Sequence, residues 1–167
     1  MTDALLVIDA LNDFRHDDGD RLLASFRARV AGLVAALDHA RANGTAVVYV
    51  NDSYGDWSGD RASLVERAVL SELTPREDEP LIFKPRYSAF DHTPLELLLR
   101  QLGVERLLLA GGSTEGCIVQ SGIDARELGF KVTILTGACA TVDEEREQIA
   151  LRYAESVAGI YLANSHA

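Results

Sequence analysis

Cys117 follows an apolar run and a glycine-rich turn, Leu107-Leu108-Leu109-Ala110-Gly111-Gly112-Ser113-Thr114-Glu115-Gly116-Cys117-Ile118-Val119. The run predicts a strand and the residues after it a helix, so the thiol falls at a helix N-terminus. Unpaired N–H groups and the positive end of the helix dipole favour thiolate there, the nucleophilic form. Backbone N–H groups at Ser113 and Cys117 can hold an oxyanion. Asp9 can take the thiol proton and later deliver it to a leaving amine. Lys84 can stabilise a carboxylate and a thiolate together. The set suits attack on an amide-like carbonyl through a covalent acyl-enzyme. Taken singly, each residue has a plainer reading. Cys117 would be a small buried hydrophobe, Lys84 a surface lysine, and Asp9 a turn cap. Cys139 lacks such partners and reads as a structural thiol.

The elements that must position these residues follow from hydrophobic period. Strands are expected at 4–8, 46–50, 81–83, 106–110 and 132–135, with a short sixth at 160–162. Leu22, Leu23, Phe26, Val30, Leu33, Val34, Leu37 and Ala40 recur at helical spacing until Asn43-Gly44. A shorter helix carries Leu64, Val65, Ala68 and Val69 and ends near Pro75. Thr93-Pro94-Leu95-Glu96 reads as a capping box with proline at the first helical position, and Gly103 closes that helix. A helix from about Gly116 ends at Gly129, and another spans about 143–157. The stretch Arg76-Glu77-Asp78-Glu79 reads as a solvated connection. Strands apolar on both faces, each followed by a helix, imply an α/β fold: a three-layer α/β/α sandwich around a doubly wound parallel sheet of about six strands. One domain is expected over 1–167. Ligands bind such sheets outside the carboxyl ends of the strands. Asp9 ends the first strand, Lys84 follows the third and Cys117 the fourth, so all three are expected at that edge.

Composition narrows the partners. A net charge of −10 repels phosphate backbones and anionic lipid, which argues against nucleic-acid and membrane-surface binding. Two cysteines make no disulfide framework and suit a reducing compartment. The first strand begins without a preceding basic region or cleavage site, and no apolar run is long enough to span a bilayer, so a cytoplasmic protein is expected. Gly111, Gly112 and Gly116 do not have dinucleotide-loop spacing. Ser113 is no nucleophile elbow, because Glu115 stands where glycine is required. His16, His39, His92 and His166 are scattered, so neither a metal nor another cofactor is expected. Tyr54, Trp57, Arg86, Tyr87 and Phe90 lie in loops near the predicted site. They are candidates for an aromatic wall with one cation, suited to a small acidic substrate; each could equally pack or contact a second copy. Phe14 and Asp52 are further candidates for substrate binding.

The run Leu5-Leu6-Val7-Ile8-Asp9-Ala10-Leu11-Asn12-Asp13-Phe14 resembles the opening signature of the isochorismatase-like cysteine hydrolases. Ile82-Phe83-Lys84-Pro85-Arg86-Tyr87-Ser88-Ala89-Phe90 resembles their lysine segment, and Gly111 to Ile118 their nucleophile segment. The resemblance covers nearly the whole chain, with the three motifs in order. It implies the doubly wound sheet, a triad of Asp9, Lys84 and Cys117, a cis peptide between Gly112 and Ser113, and assembly as dimers or larger homo-oligomers. Two positions depart from the family pattern. Leu11 stands where many members have glutamine and cannot make polar contacts. Asn51-Asp52-Ser53-Tyr54 lacks the histidine of the nicotinamidase metal motif. Members that cleave isochorismate act on a vinyl ether and need no cysteine, so Cys117 favours hydrolysis of a C–N bond. The alternatives are a vinyl-ether hydrolase and a catalytically silent ligand-binding member of the fold.

Overall fold

The computed structural model describes residues 1–164, so His166 lies outside the described residues. Six strands form one parallel sheet: β1 (Asp3–Ile8), β2 (Ala46–Asp52), β3 (Leu81–Lys84), β4 (Arg106–Gly112), β5 (Lys131–Ala140) and β6 (Tyr161–Ala163). Their spatial order is β3-β2-β1-β4-β5-β6, with every neighbouring pair parallel. The chain therefore runs outward from β1 to β3 and returns to the other side of β1 at β4. The crevice beyond the ends of β1 and β4 is the topological switch point.

Helices α1 (Gly19–Ala42), α2 (Arg61–Arg67), α3 (Leu95–Gln101), α4 (Val119–Glu127) and α5 (Glu144–Ser156) cover the sheet. Successive strand residues face opposite sides. Leu5 and Val7 join Leu22, Phe26, Leu33 and Leu37 of α1 in one core. Leu6 and Ile8 join Leu95 of α3, Ala125 of α4 and Ala154 of α5 in the other. Fully burying one Leu or Ile contributes about 1.5–3 kcal/mol, so the two cores supply most of what holds the three layers together.

Four local expectations change. β5 continues to Ala140, because Cys139 and Ala140 pair with Gly111 and Gly112 after a register break. Its second half, Thr136-Gly137-Ala138-Cys139-Ala140, is too small and mixed to announce a strand. α2 stops at Arg67, and a 3-10 turn at Ser71–Leu73 buries Leu73 instead. No capping box forms at α3: the Thr93 hydroxyl accepts from the Leu95 N–H at 3.3 Å, while Glu96 reaches forward to Arg100. The acidic connection is not wholly solvated. Glu79 is buried, receives both arms of Arg41 at 2.7 and 2.8 Å, and accepts the Arg76 N–H at 2.8 Å. Burial alone would raise its carboxyl pKa, but the Arg41 fork outweighs it and holds the group below the usual range.

Gly111 brings β4 close against β1. Its φ is +120°, and a Cβ there would sit 2.0 Å from the Ile8 carbonyl oxygen. Gly111→Ala should therefore lower stability by about 3 kcal/mol or more, read as a fall in the urea midpoint. An unchanged midpoint would mean the two strands can part there at no cost.

Candidate active site

Asp9 leaves β1 in the left-handed region, φ 51°, with its N–H on the Val50 carbonyl at 3.0 Å. Its Oδ1 accepts the Asp52 N–H at 2.7 Å, and its Oδ2 lies 3.1 Å from Lys84 Nζ. Lys84 is the last residue of β3, in register with Asp52, and its side chain has no solvent exposure. Neighbouring strands are about 4.8 Å apart, so only a long side chain can cross β2 to reach Asp9. An ammonium carries three protons. Here it has three close acceptors: Asp9 Oδ2, Cys117 Sγ at 3.3 Å and the Arg86 carbonyl at 2.9 Å. Asp52 Oδ2 adds a second negative charge at 3.9 Å.

Cys117 sits in a single π-helical turn, Thr114–Ile118, ahead of α4. The N–H groups of Gly116 and Ile118 both bond to the Ser113 carbonyl at 3.2 Å, and the Gly112–Ser113 peptide is cis. The thiol is half-buried and opens onto a cleft of about 650 Å³. Tyr87, Ser113, Arg146, Ile149 and Tyr153 are among its lining.

The surroundings of the sulfur work against the thiolate expected from the helix end. Burial, then the charge of Asp9, push the Cys117 thiol well up, and Lys84 only partly offsets them. Burial also raises the Asp9 carboxyl against the pull of Lys84. Burial works against the Lys84 charge too, but Asp9 and Cys117 outweigh it and the ammonium is held more firmly than usual. Burial and the Asp9 charge thus oppose a thiolate at Cys117, while Lys84, 3.3 Å from the sulfur, favours one. Burial and a neighbouring carboxylate both disfavour the charged form of a thiol. Cys139, fully buried, is pushed up to about 12 by burial and then by Glu147.

The candidate substrate-binding residues divide. Tyr87 lines the cleft. Tyr54 stacks on His16 at 5.7 Å with the rings 5° from parallel. Burial first, then Asp9, Asp52 and Cys117, raise the pKa of its hydroxyl, which places that group in the field of the triad. Asp52 holds Asp9 through its N–H, and its own Oδ1 accepts the Tyr54 N–H at 2.7 Å. Phe14 is instead buried edge-on against Phe26, and Phe90 packs beside Phe130 and the core. Trp57 is 62% exposed and is not part of the cleft. The Arg86 guanidinium pairs with Asp91 at 3.0 Å, and the cation lining the cysteine cleft is Arg146 of α5. Leu11 is fully buried in the core.

Sequence reasoning missed Asn51. Its amide exchanges two hydrogen bonds of 3.0 Å with the Leu11 backbone, tying the loop after β1 to the end of β2. A polar residue closing an apolar strand was the available signal. It also missed the α5 face that forms one wall of the cleft. Among the described residues, no group of three or more His, Cys, Asp or Glu is gathered to hold a metal ion, and no helix is long and apolar enough to cross a membrane.

A buried carboxylate, lysine and cysteine at the switch point of a parallel α/β sheet have the architecture of an isochorismatase-like hydrolase. The chain belongs to the isochorismatase family: the Isochorismatase domain matches residues 3–164. It is 28% identical over 161 residues to YaaI, an uncharacterized isochorismatase family protein of Bacillus subtilis, covering 92% of this chain and 89% of that protein. Maleamate amidohydrolase of Pseudomonas putida is 32% identical over 151 residues, covering 81% of this chain and 70% of that one. The crystal structure of N-carbamoylsarcosine amidase from Thermoplasma acidophilum matches with a TM-score of 0.80 at 25% identity, covering 100% of this chain and 98% of the other. The family thus includes amidohydrolases.

Proposed function

We propose that the protein hydrolyses a small amide or related C–N bond through a thioester on Cys117. The carrying observation is the contact of one buried ammonium with both the Asp9 carboxylate and the Cys117 sulfur, at 3.1 and 3.3 Å, beside an open cleft. As the carbonyl carbon approaches, the thiol proton passes to Asp9 and sulfur forms the C–S bond. The oxyanion rests on the N–H groups of Ser113 and Cys117. The tetrahedral adduct collapses as Asp9 returns the proton to the leaving nitrogen, and the C–N bond breaks. Water then attacks the thioester while Asp9 takes its proton. Collapse releases the carboxylic acid and restores the thiol. Lys84 stays charged throughout and balances whichever neighbour is negative.

The relatives named as maleamate amidohydrolase and N-carbamoylsarcosine amidase support a small amide or ureido substrate. A panel of small amides, carbamates and ureido acids, assayed for ammonia release, should contain at least one that is turned over. Rapid quench of a slow substrate should leave an acyl adduct on Cys117 by mass spectrometry. Turnover of an ether with no C–N cleavage anywhere in the panel would refute the proposal.

The rate should also depend on pH in a defined direction. Asp9 must be ionised to accept the thiol proton, and burial pushes its pKa above the ordinary carboxylate value. kcat/KM should therefore fall on the acid side in a limb displaced above the ordinary carboxylate range. Lys84 is raised above 10.5, so its charge should not be lost until strongly alkaline pH. An acid limb at or below pH 4 would remove Asp9 as the base.

A further inference from the structure

Two consecutive side chains of the nucleophile turn are tied away from the reacting sulfur. Thr114 is fully buried, and its hydroxyl lies 2.7 Å from Glu147 Oε1 and 3.1 Å from the Ala140 carbonyl. Its single proton suits the nearer, charged acceptor. Glu147, on α5, receives both arms of Arg29 of α1 at 2.6 and 2.8 Å. Arg29 also donates to the Cys139 carbonyl. Glu115 bends the other way, its carboxylate accepting from the Thr141 hydroxyl at 2.8 Å and the Val142 N–H at 2.9 Å. Helices from opposite faces of the sheet thus meet at the end of β5 and grip the turn that carries Cys117.

Burying an ion pair such as Arg29–Glu147 is a poor way to gain stability, since desolvation offsets most of the attraction. What a two-armed pair supplies is fixed direction. Glu147 Oε1 is held in place by Arg29, and Thr114 is held by Glu147. The peptide groups that flank Thr114 belong to the turn offering the Ser113 and Cys117 N–H groups. Oxyanion stabilisation is lost over shifts of about 1 Å.

We infer that Thr114, Glu147 and Arg29 are positioning residues that hold the oxyanion donors of the nucleophile turn in place. This rests on the thioester reading. Thr114→Val keeps the shape and removes the hydroxyl. With p-nitrophenyl acetate as acyl donor, its kcat should fall by about tenfold or more with KM within about threefold. Thr114→Ser, which keeps the hydroxyl, should recover most of the loss. Glu147→Gln still accepts from Thr114 but weakens the Arg29 fork, so it should fall between the two. Alkylation of Cys117 by iodoacetamide needs the thiol but no oxyanion, and should change much less than acyl transfer in every variant. Thr114→Val with wild-type kcat would overturn the inference. So would failure of Thr114→Ser to recover, or parallel loss of acyl transfer and alkylation, which would indicate a general structural role. Cys117→Ala run alongside separates the two ideas. If it turns over the ester like wild type, the thioester reading falls; if it is inactive while Thr114→Val is unimpaired, only the positioning role falls.

Discussion

Cys117→Ala should lose turnover by about 10⁴-fold or more while binding substrate within about threefold of wild type. The cleft would keep its shape, because the substitution removes one sulfur and leaves the backbone donors of the turn unchanged. What disappears is the atom that forms the covalent bond, and no neighbouring group replaces it. Asp9 and Lys84 are already engaged with each other at 3.1 Å. Cys117→Ser should fare little better. A carboxylate is a weak base toward a hydroxyl, and burial disfavours an alkoxide even more than the thiolate it already opposes. Cys139→Ala should stay within a few-fold of wild type, because that thiol is fully buried and contacts the Leu109 carbonyl at 3.6 Å rather than the triad. Initial rates with the best amide of the panel, paired with equilibrium binding to the inactive variants, decide the matter. Full turnover by Cys117→Ala would exclude the thioester and leave an Asp9-driven ether cleavage as the better account.

Asp9→Asn should lower kcat/KM by about 10³-fold, near the middle of what a positioned acid–base group contributes. The amide keeps the Asp52 N–H contact but cannot take the thiol proton. Lys84→Met, which roughly keeps the volume and removes the charge, should also cost orders of magnitude, by a different route with a pH signature. Lys84 is the largest of the influences that pull the Asp9 pKa down against burial. Without it the carboxyl rises further, so the acid limb of kcat/KM should move toward neutral pH and the rate at the optimum should fall. The double variant should be little worse than the worse single one, because the two groups act as a unit. Independent, multiplicative losses would show that Lys84 does not work through Asp9. An unmoved acid limb in Lys84→Met would show that the ion pair does not set the titration of the base.

The layout of the fold was legible because its signals are local. β1 and β2 are continuous apolar runs, α1 repeats its apolar face at helical spacing, and Asn43-Gly44 stops it. Misreadings fell where local and distant terms compete. The small residues at the end of β5 become strand only because Gly111 and Gly112 lie beside them. Glu79 looks solvated in its acidic run, yet Arg41, 38 positions away, takes it out of water. Arg86 looked like a candidate cation for the pocket, but the one lining the cysteine cleft is Arg146, from the distant α5.

The sequence by itself determined the parallel α/β architecture and the candidacy of Asp9, Lys84 and Cys117. Residues at the ends of successive parallel strands must share one edge, whatever the packing details. Tertiary structure alone decided the rest. It set how far Lys84 reaches, by placing β3 two strands from β1. It turned Phe14 and Phe90 into the cores and α5 toward the cleft. It joined Arg29 to Glu147 across 118 positions, where no local pattern links them. It also set the burial and the Asp9 charge that oppose the expected thiolate. A helix terminus acts on its neighbour in sequence, but desolvation and the Asp9 charge depend on everything packed around the sulfur, which no local pattern reveals.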